Sequence, residues 1–254
     1  MAAVFNLSLV RPPPIDMRKI LRTLRQLGCV NALLFALARM IEQGSKGRWR
    51  LQRYLFLAQV LPAAPLCTGR GRDIRIRLLT ESAGVPEGCP RPVDVVRDRY
   101  RQGAQGLAAF REDRLAGFLW FVFGSYREDE VRAQFVLPSP DCVWDFDVWV
   151  HPEERLGWTF RRLWEAARML LRARGARWSC SRISAFNAAS LRAHAAIGTT
   201  PLGSAIFLNC GEWQWMLASM PPYLHLSRSA DAVPRLHITA KEPICPISTK
   251  SASS

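Results

Sequence analysis

The stretch from residue 143 to residue 200 constrains the fold more than any other part of the chain, because its pattern changes in turn from strand to helix. Residues 143–150 carry β-branched and aromatic side chains in alternation, which predicts a strand that ends at Pro152. Residues 159–174 then place apolar side chains at helical spacing, and Gly175 is suited to end that helix. A second strand and a second helix follow, so the stretch predicts an α/β fold.

The loop before the first predicted helix collects positive charge. Arg155 lies in the loop, and Arg161 and Arg162 lie in the first helical turn. Cations at a helix N-terminus oppose the helix dipole, whereas a phosphate group would be bound there by free backbone N–H groups. The pattern therefore indicates either an anion site or, as the alternative, arginines that are simply solvated at the surface.

This part of the sequence resembles the acyl-CoA-binding half of a GNAT acyltransferase, of the GCN5-related N-acetyltransferase superfamily. Two patterns carry the likeness. One is a V-x-P strand end followed by arginine, and the other is an asparagine followed at fixed spacing by a small residue, a proton-donating ring and a glycine. The matching residues are Val150, Pro152, Arg155, Asn187, Ser190, His194 and Gly198. The likeness covers roughly residues 73–217 and implies a mixed central sheet flanked by helices.

The resemblance implies acetyl-CoA as the acyl donor, an amine as the acceptor and no metal. The residues that it implies for donor binding are Val148, Trp149, Val150, Arg155, Gly157, Thr159, Phe160, Arg161, Asn187 and Ser190. The loop departs from the family pattern, because Leu156, Trp158 and Phe160 stand where the family has glycines that let the backbone approach phosphate. This departure leaves open a long-chain acyl-CoA or an acyl carrier protein as donor, and also a non-catalytic CoA-binding or membrane-associated regulatory protein.

Three residues are candidates for the proton transfers that acyl transfer to an amine requires. By alternation, Asp145, Asp147 and Trp149 share one face of the predicted strand. Either aspartate could be the base, and Asp147 is favoured because it lies nearer the end of the strand. The resemblance places His194 where the family often has a tyrosine that protonates the leaving thiolate. The alternatives are aspartates that pair with arginines or with a cationic acceptor, and a histidine that only packs beside the donor.

The N-terminal segment carries most of the positive charge. Residues 1–72 contain 12 Lys and Arg against 2 Asp and Glu, a net charge of +10, whereas residues 73–254 contain 23 against 19, a net charge of +4. Amphipathic patterns over 17–43 and 48–61 predict a helical hairpin. The hairpin (17–61) could bind an anionic membrane surface, or pack as a cap on the domain or on a second copy in a homodimer. Nucleic acid is a weaker alternative, because no nucleic-acid motif accompanies the charge.

The first helix of this hairpin has an apolar seam. The seam residues are Ile20, Leu24, Leu27, Asn31, Leu34, Ala38 and Ile41. Residues 29–41 are apolar almost all round, but they are fewer than the roughly 20 residues that cross a bilayer. The sequence therefore predicts a packed or interfacial helix and not a membrane-spanning one.

Composition predicts three regions. Residues 1–72 form a basic helical extension, residues 73–219 a GNAT-like domain, and residues 220–254, rich in Ser, Pro and Ala, a disordered tail. The other predicted strands of the domain are 73–80, 106–111, 115–126, 131–137, 178–183, 205–208 and 212–217, and its other predicted helices are 92–102 and 188–197. Scattered cysteines without a C-x-x-C pair, and the lack of a signal-peptide pattern in 1–16, predict a cytoplasmic protein, peripheral on the inner membrane face if it binds membrane.

Overall fold

The computed structural model describes residues 17–240 except 138 and 230, and describes only the backbone of residues 17–23 and 83. The α-helices of this part of the chain are α1 (Met17–Gly44), α2 (Val93–Arg101), α3 (Thr159–Ala173) and α4 (Ala188–Ala195). Its strands are β1 (Trp49–Val60), β2 (Ile74–Leu79), β3 (Gln105–Arg111), β4 (Arg114–Phe123), β5 (Ser125–Arg127), β6 (Gln134–Val136), β7 (Cys142–Val150), β8 (Trp178–Ser184), β9 (Thr199–Cys210), β10 (Trp213–Ala218), β11 (Leu224–Ser227) and β12 (Arg235–His237).

Nine strands form one mixed sheet in the order β11-β10-β9-β1-β8-β7-β4-β3-β2. Neighbouring strands in this sheet are antiparallel except β7 and β8, which run parallel. The short strands β12, β6 and β5 form a second sheet. Helix α3 packs against β2, β3, β4 and β7, and α1 packs against β1. This arrangement confirms the fold class predicted from the sequence, an α/β protein with a mixed central sheet flanked by helices.

Apolar cores lie on both sides of the large sheet. Alternate residues of β4 enter different cores, with Phe118 and Trp120 in one and Leu119 and Phe121 in the other. The second core is completed by the apolar stripe of α3, which the sequence predicted at helical spacing. Of the predicted stripe, Leu163, Ala167 and Leu171 are buried and Ala166 and Leu170 are half-buried; Trp164, outside the predicted stripe, is buried as well. Helix α3 therefore lies where the 3.6-residue period of its sequence requires.

The predicted second N-terminal helix, 48–61, is wrong. Residues Trp49–Val60 form β1, which lies inside the nine-stranded sheet and pairs with β8 on one side and β9 on the other. One face of β1 enters a core, and α1 packs on the other face, where Arg53 donates a hydrogen bond to Asn31 (2.8 Å). Strand pairing and burial on both faces override the weak helical pattern. Residues 49–60 thus lie in the same sheet as the strands of 73–219.

The first N-terminal helix is present as α1, and its seam faces the sheet. The seam residues with described side chains are buried or half-buried, namely Leu24, Leu27, Asn31, Leu34, Ala38 and Ile41. Gly28 has non-helical dihedral angles (φ 75°, ψ 166°), which divide α1 into two helical segments. By length and composition alone, the 21 residues Leu24–Gly44 could cross a membrane, so this stretch is longer than the sequence analysis predicted.

The C-terminal region is ordered over its described part. Residues Leu224–Ser227 form β11 at one edge of the large sheet, and Arg235–His237 form β12 in the small sheet. The predicted disorder of 220–254 is therefore wrong for the two strands at 224–227 and 235–237. Residues 1–16 and 241–254 lie outside the described residues.

Candidate functional site

The parallel strands β7 and β8 part at one end of their pairing. They pair from Cys142 with Trp178 to Asp145 with Ser181. Beyond that point β7 stays paired with β4 and β8 with β1, but not with each other. The parted strands border a cavity of about 430 Å³. Unpaired backbone N–H and C=O groups along such edges can bind an extended ligand, so this cavity is the candidate site.

The cavity brings together six of the residues that the sequence analysis singled out. They are Asp145, Asp147, Val148, Asn187, Ser190 and His194. The remaining candidates do not line the cavity, and they are Trp149, Val150, Arg155, Gly157, Thr159, Phe160 and Arg161. The two groups are in contact, because the ring centroids of Phe160 and His194 are 5.5 Å apart. The strand candidates and the α4 candidates therefore meet, and the loop candidates lie beside them.

Asp145 is a buried carboxyl group that lines the cavity and is only half satisfied. Ser179 donates a hydrogen bond to its Oδ1 (2.5 Å), whereas its Oδ2 is buried without a hydrogen-bond partner among the described residues. Burial, which disfavours the charged form, raises the pKa of Asp145 to about 7, against the lowering effect of the nearby Ser179 and Ser181 hydroxyl groups. A carboxyl group with this pKa exchanges its proton near neutral pH, as a general base must.

Strand β7 contains a bulge at Asp147. Two residues of β7 lie opposite a single residue of β4, and Asp147 has a φ of 46°, which is uncommon outside glycine. One extra residue reverses the faces of the residues that follow it. Trp149 therefore packs in the same core as Phe146, and the predicted common face of Asp145, Asp147 and Trp149 is wrong.

Asp147 is engaged by two arginines. Arg91 donates to both of its oxygens (2.8 and 2.5 Å), and Arg99 donates to Oδ2 (2.5 Å). An acceptor amine would have to displace a guanidinium group to reach this carboxylate. Asp145 Oδ2, in contrast, is engaged by none of the described residues, so the two carboxyl groups differ in how accessible they are to a ligand.

A cluster of charged side chains next to the aspartates escaped the sequence analysis. Arg182 donates to both oxygens of Glu128 (2.8 Å each) and pairs with Glu130 at 3.0 Å. Burial works against ionisation of Glu128, but the charge and hydrogen bonds of Arg182 outweigh it and hold the pKa of Glu128 below its usual range. Arg99 also pairs with Asp129 at 3.0 Å. These ion pairs hold Glu128, Asp129, Glu130 and Arg182 in place in the lining of the cavity.

The lining of the cavity carries an excess of acidic groups. Its five carboxyl groups belong to Glu128, Asp129, Glu130, Asp145 and Asp147, and its three guanidinium groups to Arg91, Arg99 and Arg182. Burial, followed by the neighbouring Glu128, raises the pKa of Asp129 against the opposing effect of Arg99. Because the whole chain has a net charge of +14, three consecutive acids at 128–130 were the signal that could have revealed this wall.

His194 is buried beside the cavity as a neutral imidazole. Its Nδ1 lies 2.8 Å from the backbone carbonyl of Ser190, which can only accept, so Nδ1 carries the hydrogen and Nε2 is the acceptor. Burial holds the pKa of His194 below its usual range, against the raising effect of this hydrogen bond. The ring edges of Phe160 and Trp164 fix its orientation. At neutral pH the neutral side chain therefore presents a proton acceptor at Nε2, and the acid role that the resemblance implied for His194 stays a prediction.

The loop before α3 is tied down by its own contacts. Arg155 donates to the carbonyl of Val150 (3.3 Å), and the buried hydroxyl of Thr159 donates to Glu154 (3.4 Å). Gly157 donates its backbone N–H to Glu154 (3.0 Å).

Two other features of this loop bear on anion binding. The guanidinium group of Arg161 lies 5.5 Å from the ring centroid of Trp158. The first backbone N–H groups of α3 have no acceptor within the helix, as at any helix start. The loop thus offers an anion the guanidinium groups of Arg155 and Arg161 and the N-terminus of α3. The hydroxyl group of Thr159 is already engaged by Glu154.

Comparison with known proteins gives a likeness of fold only. No protein-family model matches the chain, and no curated protein matches it. Among solved structures, a conserved protein of unknown function from Staphylococcus epidermidis is 13% identical, with a TM-score of 0.46, over 69% of this chain and 67% of that one. The glucosamine N-acetyltransferase region of a fungal multi-domain GH3 β-N-acetylglucosaminidase is 16% identical, with a TM-score of 0.44, over 65% of this chain and 22% of that one.

A GCN5-related N-acetyltransferase from Sphaerobacter thermophilus is 14% identical, with a TM-score of 0.38, over 68% of this chain and 55% of that one. The matches therefore span about two thirds or less of these proteins. From β2 to β9 the order of the main-sheet elements is strand, helix, three strands, helix, strand, helix, strand, as the resemblance implied. The order of these elements is thus the one that the resemblance implied for the mixed central sheet and its flanking helices. At these identities and TM-scores, the likeness says nothing about substrate or mechanism.

Proposed function

We propose that this protein transfers an acyl group from a CoA thioester, acetyl-CoA, to the amino group of a cationic acceptor. The observation that carries the proposal is Asp145, a buried carboxyl group in a cavity between parted parallel strands. Its Oδ2 has no hydrogen-bond partner in the described part of the chain, and its pKa is raised to about 7.

The reaction needs a proton acceptor, and it needs the amine of the acceptor to be aligned with the thioester carbonyl carbon of the donor. The carboxylate form of Asp145 takes a proton from the ammonium group of the acceptor, and the free amine then attacks the thioester carbonyl carbon. The C–N bond forms, the tetrahedral intermediate collapses and the C–S bond breaks. The thiolate of CoA takes up the second proton, which the attacking nitrogen loses as the amide forms, and Asp145 releases its proton to water. The unpaired edge of β7 beyond Asp145 offers backbone N–H groups near Val148, Trp149 and Val150 that can polarise the carbonyl and hold the extended arm of the donor.

The excess of carboxyl groups in the cavity supports a cationic acceptor. An ammonium group entering the cavity would be attracted by Asp129 and Glu130, neither of which is fully buried, and would meet Asp145 at the bottom. A neutral or anionic acceptor would leave the excess negative charge uncompensated. We therefore expect amines with a second positive charge to be better acceptors than monoamines of the same length.

The test is an assay of thiol release from acetyl-CoA with a panel of diamines and monoamines, together with mass spectrometry of the products. Acetylation of an amine, with a preference for dications, supports the proposal. Replacing acetyl-CoA by a long-chain acyl-CoA or by an acyl carrier protein distinguishes the other two donors. If CoA binds but no amine is acylated by any of these donors, the protein is a CoA-binding regulatory protein and the proposal is wrong.

Arg155→Ala is expected to weaken CoA binding by about 1.5–3 kcal/mol, the value of a charge-assisted hydrogen bond to phosphate. The reason is that Arg155 lies beside the N-terminus of α3 and donates a hydrogen bond to the Val150 carbonyl through its Nε alone. Isothermal titration calorimetry measures the change. Arg75→Ala removes an exposed arginine of β2, which is paired with Asp113, and serves as the matched control. Equal affinities of wild type and Arg155→Ala would remove the pyrophosphate role.

His194→Phe is expected to lower kcat by about 10²-fold, at the lower end of the range for general acid–base catalysis, with little change in CoA affinity. The effect is modest because burial lowers the pKa of His194, so that only a small fraction of the imidazole is protonated and able to protonate the leaving thiolate at neutral pH. A steady-state assay beside a CoA titration measures both quantities. If kcat is unchanged and only CoA affinity falls, His194 is a packing residue that holds Phe160 and Trp164 in place.

A further inference from the structure

The outer face of β9–β11 is a wide apolar surface that leaves large side chains in solvent. It consists of the residues that alternate with the buried ones, namely Ile206, Leu208, Trp213, Trp215, Leu217, Leu224 and Leu226. Trp213 and Trp215 stack on each other with ring centroids 6.1 Å apart. Leu217 and Leu224 lie opposite each other in register and are 58% and 71% exposed. Contiguous exposed apolar side chains of this size mark interaction sites.

Helix α1 adds a second apolar strip on the same side of the sheet. Arg53 of β1 binds Asn31 of α1 and is paired in register with Ile206, so α1 lies next to the outer face of β9–β11. The side of α1 that faces away from β1 exposes the outer stripe, which consists of Val30, Leu33, Leu37 and Met40. Only 11% of the most apolar window in Leu24–Gly44 is buried. The outer stripe of α1 and the outer face of β9–β11 together expose more contiguous apolar surface than the surface of a soluble monomer usually does.

The geometry of α1 favours lying on a membrane over crossing one. Because Gly28 interrupts the helix, the segment that follows it to Gly44 is about 24 Å long at 1.5 Å per residue. The hydrocarbon core of a bilayer is about 30 Å thick. The contacts of Asn31 with Arg53 and of Phe35 with Phe186 would also be lost if α1 left the sheet.

Basic and aromatic residues border this apolar surface at one end. Trp49 and Trp213 are both in register with Cys210, and Lys46 and Arg48 lie next to Trp49. The guanidinium group of Arg228 lies 4.8 Å from the ring centroid of Trp213. Tryptophan and basic residues around an apolar centre are typical of sites at the interface between lipid headgroups and acyl chains.

We propose that the outer face of β9–β11 and the outer stripe of α1 together bind the surface of an anionic membrane. Charge decides between a membrane and a second copy of this chain. Residues 24–50 contain five basic residues against one acidic residue, so two copies meeting through this surface would oppose like charges, whereas anionic headgroups complement them. The proposal does not depend on the acyltransferase reaction.

The test uses the full chain and sedimentation with phosphatidylcholine vesicles, with and without phosphatidylglycerol, at low ionic strength. Wild type is expected to sediment with the anionic vesicles. The double variant Leu217→Glu/Leu224→Glu is expected to bind them at least about tenfold more weakly, because two apolar anchors become charged. Met169→Glu, an exposed apolar residue of α3 off the surface, is the matched control and should bind as wild type does.

Two further measurements separate this surface from others. Lys46→Gln and Arg48→Gln are each expected to lower the partition into anionic vesicles by about fivefold. Vesicles with brominated acyl chains are expected to quench wild-type tryptophan fluorescence more than that of Trp213→Leu/Trp215→Leu.

A wild type that does not bind anionic vesicles overturns the proposal, as does binding that survives in Leu217→Glu/Leu224→Glu. Light scattering that shows a dimer, converted to a monomer by the same double variant, would instead assign the surface to a second copy.

Discussion

Replacing Asp145 by asparagine is expected to lower kcat for amine acylation by about 10²–10⁴-fold, the usual contribution of a general base. Asparagine keeps the shape and can still accept the hydrogen bond from Ser179, so the cavity should be preserved. In wild type, kcat/KM is expected to rise with pH through about 7, where Asp145 loses its proton, and to level off above. In Asp145→Asn this step should disappear.

The same substitution is expected to raise stability. The folded-state pKa of Asp145 lies near 7 and its unfolded-state pKa near 3.9, so between these values the folded protein binds the extra proton. Stability therefore falls as pH rises from about 4 to about 7, by of the order of 4 kcal/mol at most. Asp145→Asn removes this loss and should unfold at higher urea concentration than wild type at pH 8.

Asp98→Asn, on the exposed side of α2, is the control and should change neither kcat nor the urea midpoint. If Asp145→Asn keeps the wild-type kcat and pH profile, Asp145 is not the base, and Asp147 is the next candidate. If the pH step disappears from kcat/KM but kcat at high pH is unchanged, Asp145 binds the acceptor and does not take its proton.

Arg182→Met is expected to destabilise the fold by about 3–5 kcal/mol, the cost of leaving a buried partner charge unpaired. Glu128, nearly fully buried, would lose both of its hydrogen bonds to the guanidinium group. Arg39→Ala, which breaks an exposed pair with Glu42 at 3.1 Å, is the matched control and should cost no more than about 0.5 kcal/mol. Urea unfolding at neutral pH measures both changes.

The stability difference between wild type and Arg182→Met is expected to depend on pH. Because the folded-state pKa of Glu128 is lowered, its pairing stabilises the protein above the unfolded-state pKa and stops doing so as pH falls through the folded-state pKa. The difference between wild type and Arg182→Met should therefore shrink in acid. In Arg182→Met/Glu128→Met, where both charges are gone, much of the lost stability should return. A single variant as stable as wild type would show that water reaches Glu128 in the folded state.

The sequence predicted the middle of the fold well because the information there is local. The segment 143–200 alternates cleanly between a period of two and a period of 3.6, and β7, α3, β8 and α4 follow it closely. The segment 49–60 was mistaken for a helix for the opposite reason. A core covers one face of β1 and α1 covers part of the other, so apolar residues occur on both faces and the alternation that identifies a strand is lost.

The candidate site was predicted in part, and its missing members are those that depend on tertiary register. His194 and Asn187 could be found by spacing along one helix. The bulge that moves Asp147 toward Arg91 and Arg99 depends on how β7 pairs with β4, which no local pattern encodes. Which of the two aspartates keeps an oxygen that no described residue engages depends on the same tertiary contacts. Arg91 and Arg99 bind Asp147, whereas Oδ2 of Asp145 has no partner among the described residues.

The central position of β1 has a consequence for how this protein must be made. β1 pairs with β8 and β9, and these two strands do not pair with each other, so β1 joins the two halves of the large sheet. Its partners are separated from it by more than a hundred residues, which makes their pairing costly in loop-closure entropy. A ribosome would release residues 49–60 long before β8 and β9, and until then β1 remains an unpaired apolar strand in need of protection from aggregation.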